Sequence, residues 1–142
     1  MNHIHEKTHD SVDLPFADLD LDRLARRGVA EVIFGEGKQG EEVAQIMARL
    51  FEVHGRALAT RITEDTAQFI KSYLSQRLSE AHQFTYNSHS RVASIGPRMS
   101  AKCRGTILVV SAGTSDGPVA SEAYDILHFL GCLLYTSDAA DE

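Results

Sequence analysis

The clearest periodic signal along the chain starts after a glycine-rich stretch. Val43, Ile46, Met47, Leu50 and Phe51 recur at i, i+3, i+4, i+7 and i+8, the spacing of one apolar helix face, and Gly55 ends the pattern. A second stripe contains Thr66, Phe69, Ile70, Tyr73, Leu74 and Leu78. Thr63 precedes it and suits an N-cap, because its hydroxyl can accept from an amide of the first turn. Short β-prone runs at 31–34 and 57–60 flank the first helix and predict strands. One or two further strands are predicted within 82–95, broken by Gly96-Pro97. Residues 19–27 place Asp20 and Asp22 early and Arg23, Arg26 and Arg27 late, an order that suits a helix dipole, and Gly28 supplies the stop. Residues 1–17 have no apolar period and read as a mobile tail.

The run from Thr106 to Ser111 differs in kind. It is continuously apolar between Gly105 and Gly113, which predicts a strand buried on both faces, as in a parallel sheet. Pro118 falls where the first turn of a following helix belongs. Val119, Ala123, Ile126, Leu127 and Leu130 predict that helix's buried stripe, and Gly131 closes it. Strand, small-residue loop and helix together form the opening of a doubly wound fold. A single strand and helix cannot build a sheet with both faces covered, so this piece reads as the entry to a larger domain. The last ten residues, 133–142, resemble translated sequencing-adaptor read-through, and the expectation is a non-native tail.

Composition narrows the class without naming a function. The chain has 142 residues, 43% hydrophobic and 24% charged, a globular balance that excludes disorder throughout. The longest stretch free of Asp, Glu, Lys and Arg, 126–137, falls short of the roughly 18–20 residues a membrane-spanning helix needs. The first residues carry charge and no apolar core of a secretory signal, so a cytoplasmic protein is expected. Two cysteines, Cys103 and Cys132, are too few for a disulfide framework and read as reduced thiols. The net charge of −6 belongs to the ends: residues 1–22 hold six acids and one lysine, and 133–142 hold three acids and no base. The nearly neutral middle makes no electrostatic case for nucleic acid or for a membrane as partner.

Two glycine-bearing strand-to-helix junctions are candidates for chemistry. Gly35, Gly37 and Gly40 fit G-x-G-x-x-G, which lets a backbone approach a pyrophosphate at a helix N-terminus. The same residues also suit a tight turn with a helix cap, and Glu41 and Glu42 would oppose a phosphate. The second junction is Ser111-Ala112-Gly113-Thr114-Ser115-Asp116, at the carboxyl end of the best parallel-type strand, where open α/β sheets bind ligands. Thr114 and Ser115 offer hydroxyls, Gly113 allows close approach, and Asp116 can bind ribose hydroxyls, orient a cationic ring or hold a metal; all three polar residues equally suit a helix cap. Lys38, Arg61 and Arg91 can meet a phosphate or form ordinary ion pairs. His3, His5 and His9 with Asp10 lie on the tail and read as adventitious. His54, His82, His89 and His128 have no metal-binding spacing.

These blocks, in order, carry a resemblance. Asp22-Arg23, Arg26, Gly28, Glu31-Val-Ile-Phe-Gly-Glu-Gly-Lys38 and Leu58-Ala-Thr-Arg61 resemble the N-terminal signature of the LarB family of nickel-pincer cofactor biosynthesis. Ser111 to Asp116, with Pro118-Val-Ala and Glu122-Ala123, is similar to the entry of that family's second domain, itself related to PurE-type phosphoribosylaminoimidazole carboxylases. The resemblance implies an α/β chain with three parts. A mobile acidic tail spans 1–18, and a small N-terminal α/β domain spans 19–100. Residues 104–132 are the incomplete start of a PurE-like three-layer, doubly wound parallel sheet, followed by the 133–142 tail. It implies carboxylation and hydrolysis of nicotinic acid adenine dinucleotide, giving pyridinium-3,5-biscarboxylic acid mononucleotide and AMP. CO2 is the co-substrate, and magnesium assists in the parent enzyme, with no cofactor held by this portion alone. An octamer-like assembly is implied only for the intact parent. Gly113, Thr114, Ser115 and Asp116 are implied to surround the nucleotide, with Lys38, Arg61 and Arg91 as further motif positions. The family's nucleophilic cysteine lies downstream of the loop; neither Cys103 nor Cys132 matches its context, so no catalytic residue is expected here. Two other functions remain open: a PurE-type carboxylase of purine biosynthesis, and a non-catalytic nucleotide-binding or assembly module built on 35–40.

Overall fold

The computed structural model describes residues 11–14, 17–100 and 105–138. The metal-binding reading of His3, His5, His9 and Asp10 and the reading of Cys103 lie outside the described residues. The chain is a mixed α/β fold, as the sequence implies.

A hairpin of β1 (Ser11–Leu14) and β2 (Ala17–Asp20) leads into a short helix α1 (Arg23–Arg27). A four-stranded sheet follows, built from β3 (Val32–Phe34), β4 (Ala57–Thr60), β5 (Thr85–Asn87) and β6 (Val92–Ile95) in the order β3-β4-β6-β5. β3 and β4 are parallel, joined through α2 (Gly40–His54), and the other two pairings are antiparallel. Helix α3 (Glu64–Ser75) lies beside α2.

The apolar periods explain this half well. Val43, Ile46, Met47 and Leu50 of α2, with Ile70 and Leu74 of α3, cover one face of the sheet against Ile33, Ala57, Ala59, Ala93 and Ile95. Met47, Ile70 and Ala59 have no exposed surface at all. Thr63 caps α3 as predicted, its hydroxyl accepting from the Thr66 amide at 3.2 Å. Gly55 ends α2 in the left-handed conformation, φ 71°.

The second parallel unit is β7 (Thr106–Ser111), α4 (Gly117–Phe129) and β8 (Leu133–Asp138), with Pro118 in the first turn of α4 as expected. β7 and β8 pair in parallel along their full length, from Thr106 opposite Leu133 to Ser111 opposite Asp138, so 133–138, expected from the sequence to be a non-native tail, form a strand. Helix α4 docks on the opposite face of the four-stranded sheet from α2 and α3: Phe129 and Ile126 pack on Leu58 and Val92.

Four expectations change. Residues 11–14 and 17, read from the sequence as part of a mobile tail, belong to the β1–β2 hairpin, which delivers Leu19 into the main core with 1% exposure. Residues 19–27 form a helix only from Arg23, since Leu19 and Asp20 are taken by β2. Strand β7 is not buried on both faces: Leu108 and Val110 are 59% and 58% exposed. Of the α4 stripe, Val119 is exposed and the remainder only half-buried, with Phe129 the buried member of the helix. The physical reason for β7 lies in what packs on it. One face of β7–β8 meets α4, and the other, with Leu108, Val110, Leu133 and Tyr135, meets nothing among the described residues.

Candidate functional site

The two parallel units offer two βα junctions, and they are built differently. In the first, Gly35 accepts the Lys38 amide at 3.1 Å and donates to the Thr60 carbonyl at 2.9 Å. A Cβ at Gly35 would fall 2.8 Å from that carbonyl and overlap the Ile62 side chain, so only glycine fits. Gln39 donates its amide to the Glu42 carboxylate at 3.0 Å, and Lys38 donates its ammonium to the Phe34 carbonyl at 2.9 Å. The junction is closed by its own groups, with Glu41 and Glu42 in the first turn of α2. This geometry is that of a tight turn and cap.

In the second junction, Gly113 sits at φ 91°, a left-handed backbone that a side chain rarely adopts, and Thr114, Ser115 and Asp116 form a single 3-10 turn before α4. Asp116, the N-cap residue of α4, makes no side-chain cap bond, and the Thr114 and Ser115 side chains make no hydrogen bond among the described residues. Thr114, Ser115 and Asp116 are exposed. Beside the junction lies a cavity of about 390 Å³, bordered by Ser111, Ser121, Tyr124, Thr136 and His89 among others.

The structure ties the rest of the sequence-predicted cations into the fold. Arg61 and Arg91 both hold left-handed backbones, φ 57° and 59°, at the ends of neighbouring strands. Arg91 donates from Nη2 to the Arg61 carbonyl at 3.3 Å and accepts the Ile62 amide on its own carbonyl at 2.9 Å. Arg61 donates from Nε to Glu122 Oε1 at 2.9 Å, reaching across to α4. Lys38 stays at the first junction. Arg61 and Arg91 are thus brought together, and Arg61 joins the two units.

Sequence reasoning missed how α4 is held. Glu122, Asp125 and His128 are spaced three apart along one side of the helix, and each meets the four-stranded sheet or its loops. Asp125 Oδ2 accepts from Asn87 Nδ2 at 2.9 Å and from the Ser90 hydroxyl at 2.5 Å. His128 Nε2 lies 2.9 Å from Arg98 Nη1, and Met99 donates its amide to the Phe129 carbonyl at 2.7 Å. The available signal was the polar i, i+3, i+6 row on an otherwise apolar helix. A second cavity, of about 380 Å³, opens between this row and the sheet, with Thr85, Asn87, Arg98 and Asp125 on its walls.

Nearby, burial pushes the Tyr86 phenol above its ordinary pKa of 10.0, with Arg91 pulling the other way and Glu64 adding to the rise. Its hydroxyl donates to the Ile62 carbonyl at 2.8 Å, which a neutral phenol does best. Cys132 is buried, which makes it a poor nucleophile for a bulky substrate. Among the described residues no three His, Cys, Asp or Glu side chains cluster as metal ligands. Asp116 offers one exposed carboxylate, so a magnesium ion there would take the rest of its oxygen shell from substrate phosphates and water. Among the described residues no helix is long and apolar enough to cross a membrane.

Comparison with known proteins matches residues 11–97 to the LarB/PurE-like N-terminal domain. The chain is also 35% identical over 114 residues to an uncharacterized protein of Methanocaldococcus jannaschii; the match covers 80% of this chain and 44% of that relative. The chain therefore spans less than half the length of the curated relative it matches. With the matched segment running from β1 through β6 and the Gly35 and Arg61 motifs inside it, the chain belongs to the LarB/PurE-like N-terminal domain family.

Proposed function

We propose that this chain is the N-terminal portion of a cytoplasmic synthase that carboxylates and hydrolyses nicotinic acid adenine dinucleotide, giving pyridinium-3,5-biscarboxylic acid mononucleotide and AMP. The LarB/PurE-like family is generally catalytic. The observation that carries the finer reading is the second junction: exposed Thr114, Ser115 and Asp116 beyond Gly113, uncommitted to capping, at the carboxyl end of a parallel strand and beside a cavity. The bare face of β7–β8 supports the view that further layers belong to the intact protein, as does the length of the relative.

In this reading the loop holds the nucleotide. Gly113 lets the backbone approach it, Thr114 and Ser115 donate to phosphate or carboxylate oxygens, and Asp116 orients the cationic nicotinate ribosyl end. The pyridinium ring is electrophilic and does not attack CO2 by itself. A thiolate adding to the ring turns it into an enamine, whose carbon attacks CO2; loss of the ring proton and of the thiolate then restores the aromatic ring. That thiolate comes from the longer protein. Cleavage of the phosphoanhydride by water releases AMP. Arg61 serves by docking the two units through Glu122.

The test uses the longer protein that contains this chain, incubated with nicotinic acid adenine dinucleotide and bicarbonate and read by mass spectrometry. AMP and a dicarboxylated pyridinium mononucleotide are the expected products. Turnover of aminoimidazole ribonucleotide, with none of the dinucleotide, would move the protein to purine biosynthesis.

A further inference from the structure

The cavity beside the second junction is not built from the second unit alone. Its wall includes His89, from the turn between β5 and β6, together with Ser111, Ser121, Tyr124 and Thr136. The position of His89 is set from both sides. Its amide donates to Asn87 Oδ1 at 3.1 Å, and Asn87 and Ser90 are both bonded to Asp125 of α4. The imidazole lies over Gly117, the first residue of α4: a Cβ there would stand 3.4 Å from Nε2. The ring is exposed and makes no hydrogen bond with a described residue. It therefore contributes little to the N-terminal core, while its neighbours hold it beside the loop.

We propose that His89 is a substrate-contacting residue lent by the N-terminal domain. It donates from its imidazole to an anionic oxygen of the nucleotide held at Gly113, Thr114, Ser115 and Asp116. The inference rests on the reading of that loop as the nucleotide site. The remaining side chains on this wall are neutral hydroxyls and apolar groups, and Arg61, which reaches α4, is engaged by Glu122. An imidazole is thus the group on this wall that can meet a negative charge with a charged donor. Two sources of the anion share this chemistry, a phosphate and the nicotinate carboxylate.

The experiment uses the chain itself with two probes, nicotinic acid adenine dinucleotide and its carboxamide counterpart. Equilibrium dialysis gives Kd for the wild type and for His89→Gln. Carbethoxylation of histidines, read peptide by peptide, gives the protection of His89 in the unaltered chain, with the exposed His82 as internal control. Loss of one charge-assisted hydrogen bond is expected to raise Kd by about tenfold in His89→Gln. His89 is expected to be protected by the ligand while His82 is not. If only the acid dinucleotide loses affinity in the variant, His89 reads the carboxylate; equal loss for both assigns the phosphate. Binding with unchanged Kd in the variant and unprotected His89 would overturn the proposal and leave the loop reading standing. No binding by the unaltered chain at millimolar probe would overturn the loop reading and this inference with it.

Discussion

The chain contains two parallel βαβ units, and they differ at every level. In β3–α2–β4 the helix face is sealed, Gly35 fits where no Cβ can, and the glycine turn is closed by Lys38, Gln39 and Glu42. In β7–α4–β8 the helix carries a single buried residue, Phe129, one sheet face is bare, and the loop leaves Thr114, Ser115 and Asp116 open. Both carry a glycine-bearing strand-to-helix turn. The difference teaches that such a turn marks a candidate site only when its polar groups are not already used by the fold.

The contrast can be broken by mutation, and the largest effect belongs to the sealed unit. Met47→Ala removes a fully buried side chain and is expected to lower stability by about 2–5 kcal/mol in denaturant melts. Val110→Ala on the bare face is expected to change it by less than about 0.5 kcal/mol. Equal costs would mean that the bare face is covered in solution. Gly35→Ala forces a methyl against the Thr60 carbonyl and the Ile62 side chain, with an expected loss of about 1–3 kcal/mol. Asp125→Ala leaves Ser90 and Asn87 without their acceptor and should loosen α4 from the sheet by about 1–2 kcal/mol. Faster hydrogen exchange across α4, with β4 unchanged, is the expected signature.

A smaller loss is expected inside the four-stranded domain. Tyr86→Phe deletes the bond to the Ile62 carbonyl, at an expected cost of about 1 kcal/mol. Because the folded phenol titrates above 10.0, its contribution is whole below pH 10 and fades as pH rises through the raised value. Melts of the wild type should therefore lose stability faster above pH 10 than melts of the variant. Parallel curves would place the alkaline loss elsewhere.

Much of the sealed unit was legible because its pattern and its burial agree. The stripe from Val43 to Phe51 specifies α2, Thr63 specifies the start of α3, and 57–60 is a strand at its expected bounds. The apolar run of β7 specified the strand but not its burial, since burial depends on what packs against Leu108 and Val110 rather than on their own preference. The β1–β2 hairpin was hidden by its density of aspartates, which local propensity assigns to turns; Leu19, anchored in the core, supplies what that propensity does not see. At the site, the loop residues could be read from their place after a strand. The contributions of His89, Asn87, Ser90 and Asp125 could not, because the β5–β6 turn meets α4 only through contacts more than twenty residues apart.

The site assignment itself depends on which of the two junctions takes the nucleotide. Hydrogen–deuterium exchange of the chain, with and without nicotinic acid adenine dinucleotide, reads both at once. The account predicts slowed exchange at 111–117 and none at 35–41. Protection confined to 35–41 would contradict it and would make the first unit the nucleotide-binding module.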